Sequence, residues 1–410
     1  MKFVITGITG LRSRGVEALL ATNVAGLRRL WPGCTIHVLT YDRSFDSQRG
    51  YLVEFQANPF ERPPVSRLLA LTQALRPRRR LALLRAQRLL SGASAVVVTG
   101  GDVFSSDYGG LPRHLMPLEF ALRRQVPVFF LGHSIGRFRT AQEAQRWLGV
   151  ARRSLGITIR ESASLRYVVQ ELGLQSVPVR QTADTAFLLD PASAERSQAL
   201  RREYGLDESR STVACCVSQG ITHYARQDEE EHVRAWVQLI RHITDDGRRQ
   251  ALIIPHVQAR QARNDDRILT TKVMRSLSGV PGVVGAVGDH TAAEYKALIA
   301  DCALVVAERM HAAVAGYSSA VPTVLVGYSI KAEGIVADVY GGSQGSDRLL
   351  VPIRSFLEPG RASALFDEAW ARRDDLAGRL ASHLVDTKKA AAMNFQVLAD
   401  LLAERQGQPS

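Results

Sequence analysis

Nowhere in this 410-residue chain do about 20 apolar residues run together, the length a membrane-spanning helix requires. Cysteine is scarce. Cys34, Cys215, Cys216 and Cys302 form no CxxC pair and show no metal-ligand spacing, so neither a disulfide framework nor a thiolate metal site is supported. Cys215 and Cys216 fall inside the β-like run Thr212–Val217, where buried free thiols in a reducing compartment are the expected state. There is no DxD for a metal-held nucleotide sugar and no HExxH, and no metal site is expected. Gly10 and Gly15 have P-loop spacing, but Val16 and Glu17 stand where lysine and Ser/Thr should follow, so NTPase chemistry is unsupported. No GxGxxG, internal repeat or low-complexity segment occurs. The opening segment Met1–Gly7 is too short for the apolar region of a signal peptide, and a soluble, cytoplasmic protein is expected.

What is present is an ordinary globular composition, 46% apolar and 22% charged, with a formal net charge of +12. That charge favours acidic partners: phosphorylated substrates, anionic lipid-linked intermediates or nucleic acid. The length predicts two domains. Strand-like runs alternate with helical ones, the pattern of parallel sheets covered by helices. Strands are expected at Phe3–Thr6, Ile36–Tyr41, Ala95–Thr99, Pro127–Leu131, Gly156–Arg160 and Val177–Val179. The polar segment Asp190–Ser211 reads as a boundary, after which the alternation restarts at Thr212–Ser218, Gln250–Pro255, Val283–Val287, Ala303–Ala307 and Thr323–Val326. Two sheets with a cleft between them are the simplest α/β solution. The tail from Arg361 is helical by pattern. The basic run Arg76–Arg80, continued by Arg85 and Arg88, reads as a solvated face, or alternatively as a contact with an anionic membrane or glycan carrier at the inner membrane face. It lacks the aromatic companions that nucleic-acid binding needs, so no nucleic acid is expected.

Chemistry-bearing residues cluster at strand ends, where open α/β sheets place their ligands. Arg309 and His311 follow the run Ala303–Ala307, and Lys331 lies just beyond Thr323–Val326. Three cationic or protonatable groups there point to an anionic, phosphorylated ligand. The plainer alternative makes Arg309 and Lys331 solvated charges and His311 a helix cap. Gly100–Asp102 follows another strand, and paired glycines permit close approach of a ligand, with Asp102 placed to bind hydroxyls or act as a base. Gly132–Gly136 matches GxSxG, which admits a serine hydrolase with Ser134 as nucleophile. The poor helix start at Arg137–Arg139 and the second sheet both argue against it. Arg160 ends a strand as a candidate carboxylate or phosphate fork, with Ser162 as helix cap. Asp184, His256 and Asn264–Asp266 complete the polar positions.

Taken in order, these segments resemble the polysaccharide pyruvyl transferase family over nearly the whole chain up to about Tyr340. The resemblance rests on Ser13–Ala18, Gly100–Asp102, Gly132–Gly136, Arg160, Glu161 and Ser164, Asp184–Phe187, Pro255–His256, Asn264–Asp266, Arg309–His311 and Tyr328–Lys331. The family often has Asn where this chain has Ser13, and Pro where it has Arg137 and Thr185. The resemblance implies two Rossmann-like domains facing a cleft, of the GT-B type. Residues 1–192 would form the acceptor side, 211–360 the phosphoenolpyruvate side, and 361–410 a helical tail. It implies transfer of pyruvate from phosphoenolpyruvate, a co-substrate with no further cofactor, to two hydroxyls of a free or lipid-linked glycan precursor, giving a cyclic ketal. Arg160, Arg309 and Lys331 would hold the donor, His311 would act as general acid, and Asp102 or Asp184 would accept the hydroxyl proton. Ser13, Arg14, Gly101, Ser134 and His256 would line the substrate. Two other readings stay open: a GT-B glycosyltransferase using a nucleotide sugar, and a non-catalytic protein that senses anions or glycans.

Overall fold

In a computed structural model, which describes residues 1–60, 77–106, 110–225, 227–327, 330–342 and 349–407, the chain builds two parallel sheets. The first contains β1 (Lys2–Ile8), β2 (Thr35–Thr40), β3 (Glu54–Ala57), β4 (Ala95–Val98), β5 (Gly101–Phe104), β6 (Val128–Ile135), β7 (Gly156–Ile159) and β8 (Val179–Gln181). Their order is β3-β2-β1-β4-β6-β7-β8, with β5 paired to β6. The second contains β9 (Ser211–Cys216), β10 (Arg249–Ile253), β11 (Val283–Gly285), β12 (Leu304–Ala307), β13 (Thr323–Gly327) and β14 (Leu350–Pro352), in the order β11-β10-β9-β12-β13-β14.

Both sheets are doubly wound, and in each the order reverses beside the first strand: between β1 and β4, and between β9 and β12. The central strands are continuous apolar runs because helices cover both faces. Phe3, Val4, Ile5, Val97, Phe129 and Phe130 are fully buried in the first sheet, and Val213–Cys216, Ala251–Ile253 and Leu304 in the second. The four cysteines are free and buried, and burial pushes the Cys215, Cys216 and Cys302 thiols up.

Three strands escape the sequence pattern. β3 carries Glu54 and Gln56, β5 opens on a glycine, and β14 ends on Pro352. β6 also runs past its expected end at Leu131. Gly132 takes φ +64°, the register against β7 shifts between Phe130 and His133, and the Thr158 hydroxyl accepts the Gly132 amide at 2.8 Å. A left-handed glycine therefore absorbs the irregularity, and the strand continues through Ile135. The tail is helical over Arg361–Ala371 and Arg373–Gly407.

Two compact units emerge, with limits that differ from the sequence boundaries. The first comprises Met1–Leu11, Leu19–Thr185 and Ala390–Ser410, and the second Arg12–Ala18 and Ala186–Lys389. The tail is thus divided between the units. Ser13 and Arg14, expected with the first sheet, belong to the second unit.

Candidate functional site

In the second unit, the polar positions gather at the reversal between β9 and β12. β12 delivers Glu308 and Arg309, and helix Met310–Tyr317 begins directly after them with Arg309 as N-cap. Glu308 is buried and accepts the Ser218 amide at 2.6 Å, His232 Nε2 at 2.6 Å and Trp236 Nε1 at 3.1 Å. That anchor ties the ends of β9 and β12 together and leaves the next residue's side chain aimed elsewhere. Arg309 forks onto Asp266, with Nε at 3.0 Å and Nη2 at 2.5 Å from its carboxylate oxygens. Asp266 also accepts the amides of Gln219 and Val257, each at 2.9 Å. Burial pushes the Asp266 carboxyl up, and Arg309 and those amides oppose it. Its neighbour Asp265 caps helix Asp266–Ser276.

His311 stands in the first turn of helix Met310–Tyr317, with its ring packed on Gly15; a Cβ on Gly15 would overlap the imidazole. The segment around Gly15 is held by backbone pairing, Ser13 bridging Val257 and the Arg14 amide donating to the His256 carbonyl at 3.1 Å. Arg14 is fully buried and ion-paired to Glu17 at 2.9 Å and to Asp289. Glu17 in turn accepts the Ala292 amide at 3.3 Å, at the start of helix Ala292–Ala300. His256 is buried, and desolvation, helped by the charges of His311, Arg14 and Arg309, drives its pKa well below the ordinary value, so it serves as a neutral imidazole. Arg14, His256, His311 and Lys296 line a cavity of about 10 Å³, the threshold for one water molecule. Lys331 opens helix Ile330–Val339, but its side chain, like Tyr328 and Ser329, lies outside the described residues.

A second polar network closes the strand ends of the first unit. Arg160, at the end of β7, pairs with Asp184 at 2.5 Å and donates from Nε to Ser134 Oγ at 2.7 Å. Ser134 donates onward to Glu161 at 2.9 Å. Burial disfavours the Arg160 charge, yet Asp184, Glu161 and Asp102 together raise its pKa. Asp102 lies half-buried on β5, next to Gly101. His133 is buried in the same place, and desolvation followed by the Arg160 charge lowers its pKa to about 3.

Arg160 does not present an open fork: its side chain is 2% exposed and committed to Asp184 and Ser134. Asp184 is likewise buried in that pair. Ser134 is no hydrolase nucleophile, because β6 runs straight through it and its hydroxyl is fixed between Arg160 and Glu161, where a nucleophile elbow would need a sharp exposed turn. The helix cap falls on Glu161 rather than Ser162. Every expected clamp arginine that is described carries its own carboxylate: Arg14 with Glu17 and Asp289, Arg160 with Asp184, and Arg309 with Asp266. Asp289, the second carboxylate on Arg14, was invisible as a site residue because a pairing across 275 residues leaves no local pattern. Lys296 did leave a signal, a lone ammonium in the apolar helix Ala292–Ala300. Among the described residues, no cluster of three His, Cys, Asp or Glu side chains could hold a metal ion.

Residues 15–330 match the family described as polysaccharide pyruvyl transferase. The amylovoran biosynthesis protein AmsJ of Erwinia amylovora is 24% identical over 267 residues, which cover 62% of this chain. The chain spans 61% of the length of that curated relative. Among solved structures, the UDP-GlcNAc 2-epimerase of Neisseria meningitidis superposes with a TM-score of 0.62 at 12% identity, covering 98% of this chain and 100% of that one. HepE of Anabaena, in complex with UDP and glucose, gives 0.55 at 15% identity, with 99% and 98% covered. At those identities the likeness shows the fold alone, and that fold is the GT-B-like pair of Rossmann-like sheets. The family match extends over more than half the sequence: this chain belongs to the polysaccharide pyruvyl transferase family.

Proposed function

We propose that this protein transfers pyruvate from phosphoenolpyruvate to a sugar of a polysaccharide or glycolipid precursor, forming a cyclic ketal and releasing phosphate. One observation carries the reading: at the β9–β12 reversal, Arg309 and the N-terminus of helix Met310–Tyr317 meet His311, whose ring is held in place by Gly15. A helix N-terminus stabilises anions through its first N–H groups and its dipole, and suits the donor's phosphate or carboxylate. Arg309 adds a guanidinium oriented by Asp266, and Lys331 in the next helix is assigned the third contact. His311 protonates the enol methylene, leaving an oxocarbenium at C2 that a first sugar hydroxyl attacks as it loses its proton. The second hydroxyl then displaces phosphate. An imidazole suits the proton step because its ordinary pKa lies near neutrality. His256, kept neutral by burial, contributes shape rather than charge. In the first unit, Arg160 and Asp184 are assigned to hold the strand ends.

Thermal denaturation with phosphoenolpyruvate, UDP, GDP and inorganic phosphate tests the donor. Ligand that binds the native state raises the melting temperature. A rise specific to phosphoenolpyruvate and lost in Arg309→Ala is expected; a rise with nucleotide alone would move the assignment to glycosyl transfer. With an acceptor in hand, His311→Ala should lower phosphate release by at least about a hundredfold at an unchanged melting temperature. Near-normal release would remove His311 from the mechanism.

A further inference from the structure

Helix Pro77–Leu90 presents a face that a soluble helix has no reason to carry. Leu83, Ala86, Leu89 and Leu90 pack toward the core of the first unit. On the opposite side Leu81 is 50% exposed and Leu84 54% exposed, and Arg85 and Arg88 are also exposed. Positions 81, 84, 85 and 88 follow the helical repeat, so the two leucines and two arginines share one outward stripe. Exposed Arg124 extends the positive charge: its guanidinium reaches Gln87 of this helix at 3.4 Å while stacking over Phe120. No Asp or Glu occurs from Pro77 through Gly101 to offset these cations.

We propose that this stripe docks the protein on an anionic phospholipid surface, with Leu81 and Leu84 entering the acyl boundary and Arg85, Arg88 and Arg124 at the phosphates. Charge complementarity selects that occupant. A solvated helix face has no use for paired leucines, whereas an amphipathic helix on an anionic membrane uses both groups at once. Arginine is suited to the boundary because its aliphatic stem lies along apolar surface while its head stays with the phosphates. The proposal is independent of the pyruvyl-transfer reading.

Co-flotation with vesicles tests it, using phosphatidylcholine mixed with phosphatidylglycerol and phosphatidylcholine alone. The intact protein should float with the anionic vesicles only, and increasingly less as salt rises. The double variants Leu81→Ser/Leu84→Ser and Arg85→Ser/Arg88→Ser should each weaken binding roughly tenfold or more at unchanged melting temperature. Leu52→Ser, which alters a 78% exposed leucine elsewhere, should leave binding intact. Absence of flotation, equal flotation with neutral vesicles, or binding indifferent to the leucine pair would each overturn the proposal.

Discussion

At the scale of residues, the site is defined by what neutralises what. A guanidinium is legible in the sequence, but a remote counter-ion is not, because Asp289 meets Arg14 and Asp266 meets Arg309 only after distant segments are brought together. Lys296 is the opposite case, a cation buried against its preference. Its Nζ donates to the Leu189 carbonyl at 2.5 Å; desolvation and then the charge of Lys388 lower its pKa from 10.5 to about 8, with Asp190 opposing. A lysine whose folded pKa is depressed binds fewer protons folded than unfolded, so stability rises as pH climbs from about 8 toward 10.5. Below about 8 the penalty is fully present, on the order of 3 kcal/mol. Urea unfolding at about pH 7 and about pH 10 should show this rise in the wild type relative to Lys296→Met. Parallel behaviour of the two proteins would mean that the ammonium is better solvated than its burial implies.

Among the elements, legibility followed burial. β1, β4, β9, β10 and β12 were readable because both of their faces are covered and their sequences are unbroken apolar runs. β3 and β14 lie at sheet edges, where polar residues and proline are tolerated, and so they carry no such run. Helix Ala292–Ala300 shows how an element serves the site. Thr291 and Glu294 form a reciprocal capping box at its start, and the same N-terminus donates the Ala292 amide to Glu17, the partner of Arg14. Thr291→Ala should therefore cost about 1 kcal/mol in urea unfolding, with Thr291→Ser retaining most of it. An unshifted midpoint for the alanine variant would show that Glu294 holds the helix start unaided.

For the molecule as a whole, the helical tail has a role that its helical pattern alone does not reveal. Helix Arg373–Gly407 adds no strand, and its residues from Ala390 onward belong to the first unit. Asn394 is buried there, hydrogen-bonded with Thr158 at 2.5 Å, Thr182 at 2.9 Å and the Ala183 carbonyl at 2.8 Å, just behind Arg160 and Asp184. Phe395 and Leu398 are fully buried, and Gly26 leaves room for the Phe395 ring. Burying two such side chains contributes roughly 3–6 kcal/mol, a large share of a typical domain's 5–15 kcal/mol. Ending the chain after Lys389 should abolish the cooperative unfolding of the first unit, read by calorimetry. Full retention of that transition would show that the sheet is self-sufficient.

The sequence by itself determined the class of fold, the restart of the alternation after Asp190–Ser211, and the family, because alternating apolar runs and ordered strand-end motifs are local signals. It also marked Arg309 and His311 as neighbours at one strand end. Tertiary structure alone decided that Arg160 and Asp184 neutralise each other, that Ser13 and Arg14 join the second unit, and that the C-terminal helix closes the first. Those outcomes rest on contacts between segments far apart in the chain, such as the 236 residues separating Thr158 from Asn394, and no local pattern encodes a partner at that distance.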